Sequence, residues 1–305
     1  MPDPVLRLAV AGAAHPHVAY VLDELPLRTD VALVGISDSD HRALLDAQRP
    51  DVVVVAGIYA ERGQAVVDAL RAGAHVIADK PLCTSLSELD AIETAARESG
   101  RTVSLLLEKR GYPETLAARE LIGSGALGTV SQVAASAPHK LNRASRPSWF
   151  LDPATYGGVI GDLAVHDIDL VLWLTGAREG TVSAVGGPRH GSLLLRAGEV
   201  AATIEVSWLT PDSAPWHGDY RMRLTGTSGT AELLWARGKL EAETHERPLW
   251  TVELPERRRP AVAVLDALVA GEEPEVGTAA SLLATRIALL AQDSADRGGV
   301  RAWAA

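Results

Sequence analysis

The stretch Val5-Leu6-Arg7-Leu8-Ala9-Val10-Ala11-Gly12-Ala13-Ala14-His15-Pro16-His17 decides how the rest of the chain is read. Its first seven residues are mostly apolar and form a strand. A glycine then turns the chain into a segment opening on Pro16, where a missing N–H costs a helix nothing, so Pro16–Leu25 is expected to be helical. The same rhythm recurs downstream. Strands are expected at Val31–Ser37 (VALVGIS), Asp51–Ala56 (DVVVVA), His75–Ala78 and Thr102–Leu107, with helices over Glu61–Ala72 and from Ser85 to Gly100. Val66, Ala69 and Leu70 recur at helical spacing, Gly73 is a C-terminal stop, and Ser85 with Glu88 makes a capping-box pattern. Strands alternating with helices pair in parallel, so this part is read as a doubly wound α/β sheet.

From about residue 129 the rhythm changes. Strand-like runs follow one another at Thr181–Val185, Ser192–Arg196, Ala201–Trp208, Tyr220–Thr225, Thr230–Trp235, Lys239–Thr244 and Trp250–Leu254. Turns such as Gly186-Gly187 and Thr227-Ser228-Gly229 suit antiparallel connections, and helices are expected at Tyr156–Leu174 and Ala279–Ala295. The expectation is two domains, residues 1–111 and 112–305, the second an α+β domain with a mostly antiparallel sheet. A chain of 305 residues fits that division.

Composition narrows the function. Hydrophobic residues make up 47% of the chain and charged ones 22%, ample for a packed core. The formal charge is −10, and the densest basic cluster, Arg257-Arg258-Arg259, is answered by Glu253 and Glu256, so nucleic acid is not an expected partner. A single cysteine, Cys83, cannot form an internal disulfide and fits a reducing compartment. The N-terminus has no signal-peptide pattern and no stretch is apolar enough to span a membrane, so a cytoplasmic protein is expected.

The first turn carries a chemical reading. A dinucleotide fold needs small residues here, so that backbone N–H groups can approach a pyrophosphate; Gly12, Ala13 and Ala14 are small, whereas His17 stands where a third glycine is usual. Asp38 ends the second strand 26 residues after Gly12, where a carboxylate can accept hydrogen bonds from a ribose diol and would repel a 2′-phosphate. NAD is therefore expected over NADP, with Gly57 and Tyr59, after the third strand, counted among the contacts. His15 and His17 are alternatively ligands for phosphate or substrate; with no cysteine or acid near them in sequence, no metal site is expected.

Two later motifs add to this. Asp79-Lys80-Pro81-Leu82 follows the fourth strand, and a lysine at the C-terminal end of a parallel strand points into the ligand crevice. In Gly157-Gly158-Val159-Ile160-Gly161-Asp162-Leu163-Ala164-Val165-His166-Asp167-Ile168-Asp169, a helix would put Asp162 and His166 on one face, at i and i+4. Leu163, Val165 and Ile168 imply burial, which for a carboxylate and an imidazole demands a partner. The alternative is an internal Asp–His ion pair.

In this order, the motifs resemble the glucose–fructose oxidoreductase / inositol dehydrogenase (Gfo/Idh/MocA) family. Asp79-Lys80-Pro81 is similar to its Glu-Lys-Pro, and the Gly157–Asp169 segment to its Gly-Gly-x-x-x-Asp-x-x-x-His-x-x-Asp helix. Lys109-Arg110-Gly111-Tyr112-Pro113, with Leu121–Gly128, resembles its crossover between domains. The chain departs from the pattern in its glycine fingerprint, in Asp79 for Glu, and in Gly57–Arg62, where many relatives carry Thr-Pro-x-x-His.

The resemblance implies a Rossmann domain and hydride transfer between NAD and a secondary hydroxyl or keto group of a sugar or cyclitol. It implies His166 as the general base in oxidation, Asp162 orienting it or holding a hydroxyl, and Lys80 donating to the reacting oxygen. It also implies a homodimer or higher homo-oligomer. Independently, a sheet with helices on one face needs cover for an apolar second face. The polar loop His139–Trp149 offers Lys140, Asn142 and Arg146 as substrate contacts, or is simply a solvated loop. Trp208, Trp216 and His217 are a flat face for a sugar ring or sheet packing. Two other functions fit the same residues: a non-catalytic dinucleotide-binding sensor, and a glycoside-cleaving enzyme that uses NAD transiently.

Overall fold

The computed structural model describes residues 5–305. Five strands, β1 (Leu6–Ala11), β2 (Val31–Ser37), β3 (Val52–Val55), β4 (His75–Ala78) and β5 (Val103–Leu105), form an all-parallel sheet in the order β2-β1-β3-β4-β5. The valine run of β3 is wholly buried, as a central parallel strand covered on both faces requires. The helices Tyr59–Arg71 and Leu86–Ser99 bury Val66, Leu70, Leu89 and Ile92. The latter starts on Ser85, whose hydroxyl accepts from the Glu88 N–H, and ends at Gly100 in a left-handed conformation.

A third helix, Pro260–Ala270, arrives from far downstream. Its Ala261, Val264, Leu265 and Leu268 join Leu8, Val10, Val52, Val54 and Ile77 in one core, where each buried Val or Leu contributes roughly 1.5–3 kcal/mol. The edge strand β5 is covered as well: the Val103 and Leu105 N–H groups donate to Thr278 Oγ1 and Ser281 Oγ at 3.1 and 2.9 Å.

Pro16–Leu25 is not one helix. A 3₁₀ turn at Pro16–Val18 leads into a single α-turn, Ala19–Leu22, and a second 3₁₀ turn, Leu25–Leu27. Pro26 has no N–H to donate, so a regular helix cannot continue through it.

Nine strands form the second sheet: β6 (Val130–Pro138), β7 (Glu179–Gly187), β8 (His190–Ala197), β9 (Val200–Ser207), β10 (Arg221–Gly226), β11 (Gly229–Leu234), β12 (Lys239–Thr244), β13 (Trp250–Thr251) and β14 (Arg301–Ala304). Their order is β13-β12-β11-β10-β6-β9-β8-β7-β14, with β6 parallel to β9 and the other neighbours antiparallel. Sequence reading passes over β6 and β14. β6 is built largely of Ala and Ser, which carry little strand signal, and β14 has only four residues.

β9 alternates strictly: Ala202, Ile204 and Val206 are buried, and Ala201, Thr203 and Glu205 are exposed. The exposed positions of β8 are His190, Ser192, Leu194 and Arg196. The expected second apolar face is therefore mostly polar, because each strand alternates apolar-in and polar-out.

The chain passes repeatedly between two compact units. The first runs to Leu107 and takes in Pro147–Gly157 and Arg259–Thr285; the second comprises Glu108–Arg146, Gly158–Arg258 and Arg286–Ala305. No helix among the described residues is long and apolar enough to cross a membrane.

Candidate active site

In the first unit, Gly12 holds φ +81°, and a Cβ on it would lie 2.6 Å from the Cα of Gly57, so the turns after β1 and β3 meet backbone to backbone. The Gly12 N–H donates to Ser37 O at 2.7 Å and the Ala13 N–H to Asp38 Oδ1 at 2.7 Å. Gly12, Ala13, Ala14, Asp38 and Gly57 thus come together at the C-terminal ends of β1, β2 and β3, as expected of a ligand crevice. The Asp38 carboxylate is exposed, but one of its oxygens already holds the turn.

Beneath that turn lies a cluster that sequence reading misses. His15 and His17 place Nδ1 2.8 Å from Asp79 Oδ2 and Oδ1 respectively. Arg62 Nη2 donates to Asp79 Oδ2 at 2.8 Å, while its Nη1 reaches the carbonyls of Asp79, Lys80 and Pro81 and its Nε that of Gly57. Burial alone would raise the Asp79 carboxyl; the Arg62 charge and the two imidazoles hold it well below the usual carboxylate range. Burial keeps the His15 imidazole below its ordinary value, against the pull of Asp79. The expectation that no acid stands near the two histidines is corrected here: Asp79 touches both. Arg62 gives no sequence signal; Asp79 gives only its substitution for Glu.

Lys80 follows directly, buried, with a cis bond to Pro81. Tyr59 has no exposed surface. Its ring packs among Trp149, Phe150 and Tyr156, with the Arg62 guanidinium 4.4 Å over it.

Tyr156–Leu174 is not one helix. A short helix, Pro153–Tyr156, ends at Gly157; Gly157 and Gly158 take φ +81° and +116°; a π-helical turn spans Ile160–Ala164; and an α-helix follows over Val165–Thr175. Asp162 and His166 are both buried, the first within the π-turn and the second in the opening turn of the α-helix that follows it. Glu108 Oε1 stands 3.5 Å from His166 Nε2. Glu108 opens the 3₁₀ turn Glu108–Gly111, whose next residues are also used: Lys109 Nζ donates to both oxygens of Asp167 at 2.9 Å, and Arg110 forks onto Asp169 at 2.7 and 2.5 Å. Asp169 is thereby an ion-pair partner of Arg110.

The polar loop is internally braced. Lys140 Nζ donates to the carbonyls of Asp212 and Ala214, Arg146 Nε donates to Leu141 O with its guanidinium 4.9 Å over Trp208, and Asn142 takes a left-handed turn at φ +49°. Trp208 is buried against His139. Trp216 is exposed and lines a cavity of about 390 Å³ with Pro138, Leu209, Pro211 and Asp219.

The sequence model of an oxidoreductase family with an NAD-binding Rossmann fold matches residues 8–106, and the model of the GFO/IDH/MocA C-terminal domain matches 115–232. The chain belongs to the Gfo/Idh/MocA family. The D-glucoside 3-dehydrogenase of Escherichia coli K12 is 27% identical over 56% of this chain and 54% of its own length. The scyllo-inositol 2-dehydrogenase (NAD⁺) of Bacillus subtilis 168 is 23% identical over 63% and 57%. The match thus spans little more than half of either relative. An oxidoreductase structure from Thermotoga maritima superposes with a TM-score of 0.88 at 24% identity, over 97% of this chain and all of that one, which establishes the shared fold.

The first unit fits a dinucleotide in two respects. Gly12 keeps the turn free of any side chain, and Asp38 presents a carboxylate at the end of β2.

Proposed function

We propose that this protein is an NAD-dependent dehydrogenase or reductase acting on a secondary hydroxyl or keto group of a small polyhydroxylated molecule, a sugar or cyclitol. The observation that carries the reading is the pair of buried ionisable groups, Asp162 and His166, flanking the end of a π-helical turn. Burying a carboxylate and an imidazole together demands partners for both, and π-turns are frequent at functional sites. Bound NAD would supply the hydride acceptor. His166 takes the hydroxyl proton in oxidation and returns it in reduction, a contribution typically worth about 10²–10⁴ in rate. Lys80 donates a hydrogen bond to the reacting oxygen, and its charge favours alkoxide character there. Asp162 orients the imidazole or holds a neighbouring hydroxyl. NAD is favoured over NADP because Asp38 would repel a 2′-phosphate.

The substrate contacts remain those of the polar loop, Lys140, Asn142 and Arg146. The resemblance also supports a homo-oligomer, and the lone buried Cys83 fits the reducing cytoplasm.

A second reading, dinucleotide binding without catalysis, is favoured by one feature: the first turn departs from the glycine fingerprint, with His17 where the third glycine is usual. Screening polyols and glycosides with NAD, for NADH formation and for product release, separates the readings. Hydride transfer yields NADH or its oxidation, glycoside cleavage releases a sugar with no net NADH, and a sensor binds nucleotide and does neither. On the substrate so found, His166→Ala and Lys80→Ala are each expected to keep NAD binding and to lose at least about a hundredfold in turnover. Undiminished turnover in either variant removes that residue from the mechanism.

A further inference from the structure

The cluster beneath the first turn has the composition of a metal centre. His15 and His17 on the β1 turn and Asp79 at the end of β4 each offer a ligand atom, and these atoms all lie within 4.8 Å of one another. Two imidazoles and a carboxylate are a donor set for zinc and its first-row neighbours, and three protein ligands leave one tetrahedral position open.

The surroundings suit that role. Asp79 is fully buried and its carboxylate is fixed by Arg62, which is itself anchored by four backbone carbonyls. Outer hydrogen bonds of this kind hold ligating carboxylates in place. Pro16, between the two histidines, restricts the backbone that carries them. The His17 side chain is 24% exposed, against 7% for His15, so His17 is the ligand beside which the open position meets solvent.

We propose that His15, His17 and Asp79 bind a divalent first-row metal ion, of which zinc is the leading case, with one position left for water or a ligand oxygen. The present N–O separations of 2.8 Å are hydrogen-bond distances. With metal–ligand bonds of about 2.0–2.1 Å, tetrahedral neighbours stand roughly 3.4 Å apart, so the two rings must each retreat by about half an ångström. Ligation through Nδ1 requires a neutral imidazole with its proton on Nε2. A +2 ion with one carboxylate and one guanidinium leaves the centre positive, so the open position favours an anionic oxygen donor. The test of this site does not use the proposed dehydrogenase activity.

Chelator-treated full-length protein would be titrated with Co²⁺, read by visible absorption, and with Zn²⁺, read by calorimetry. One ion per chain is expected. His15→Ala and His17→Gln should each weaken binding by at least about a hundredfold, since loss of even an outer partner costs about 10–100-fold. Circular dichroism of His17→Gln, the substitution at the more exposed ligand, separates lost binding from lost folding. Absence of a stoichiometric ion in the wild-type protein, or equal affinity in both folded variants, overturns the site and leaves a hydrogen-bonded cluster that closes the turn.

Discussion

Gly157 and Gly158 hold backbone angles that L side chains rarely adopt, and each meets an immediate neighbour. A Cβ at Gly157 would lie 2.6 Å from Thr84 Cγ2, and one at Gly158 would lie 2.3 Å from Gln292 Oε1, the atom that accepts from the Ile160 N–H. The pair was legible as the head of a motif; its physical use, releasing the chain from one helix into the π-turn, was not. His75 carries a prediction of its own kind. Its Nδ1 accepts from the Thr102 N–H at 3.2 Å, and burial, with the Arg101 charge, keeps the imidazole below its ordinary value of 6.5. The unfolded chain therefore takes up a proton near pH 6.5 before the folded chain does. Stability from this residue is complete above that pH and is lost as pH falls through the window beneath it. The urea midpoint of His75→Asn should accordingly fall less between pH 7 and pH 5 than that of the wild-type protein; parallel curves would mean that His75 titrates alike in both states.

At the scale of elements, the 3₁₀ turn Glu108–Gly111 and the helix Val165–Thr175 are joined by buried ion pairs. Removing one member of such a pair strands the other charge away from water. Asp167→Ala should therefore cost about 3–5 kcal/mol, whereas the double change Lys109→Met with Asp167→Leu should recover much of the loss. Denaturant unfolding checks both; a single-variant cost below about 1 kcal/mol would mark the pair as solvated. Sequence spacing located the strands and the helices over Glu61–Ala72 and from Ser85, because alternation and 3.6-residue periodicity are local. It overran at Pro16–Leu25 and Tyr156–Leu174, where Pro26 and the double glycine interrupt segments whose apolar residues continue. It passed over β6, whose alanines and serines form a strand because flanking strands supply the hydrogen bonds.

For the whole molecule, the outward face of the nine-stranded sheet is mostly polar, with Val185 and Leu194 as its large exposed apolar residues. An oligomer paired there would be held by polar contacts more than by a buried apolar face. Sizing with light scattering is expected to give a dimer or larger assembly; a monodisperse monomer at micromolar concentration would reject it. By itself, the sequence determined the parallel sheet, the antiparallel second half and the candidacy of Lys80, Asp162 and His166, all from residues within a few positions of one another. Only the tertiary structure brought Asp79 onto His15 and His17, Arg62 beneath them, and Glu108 beside His166. His17 and Asp79 are 62 residues apart. A hydrogen bond depends on distance and direction in space, and strand order, which local patterning does not encode, sets both.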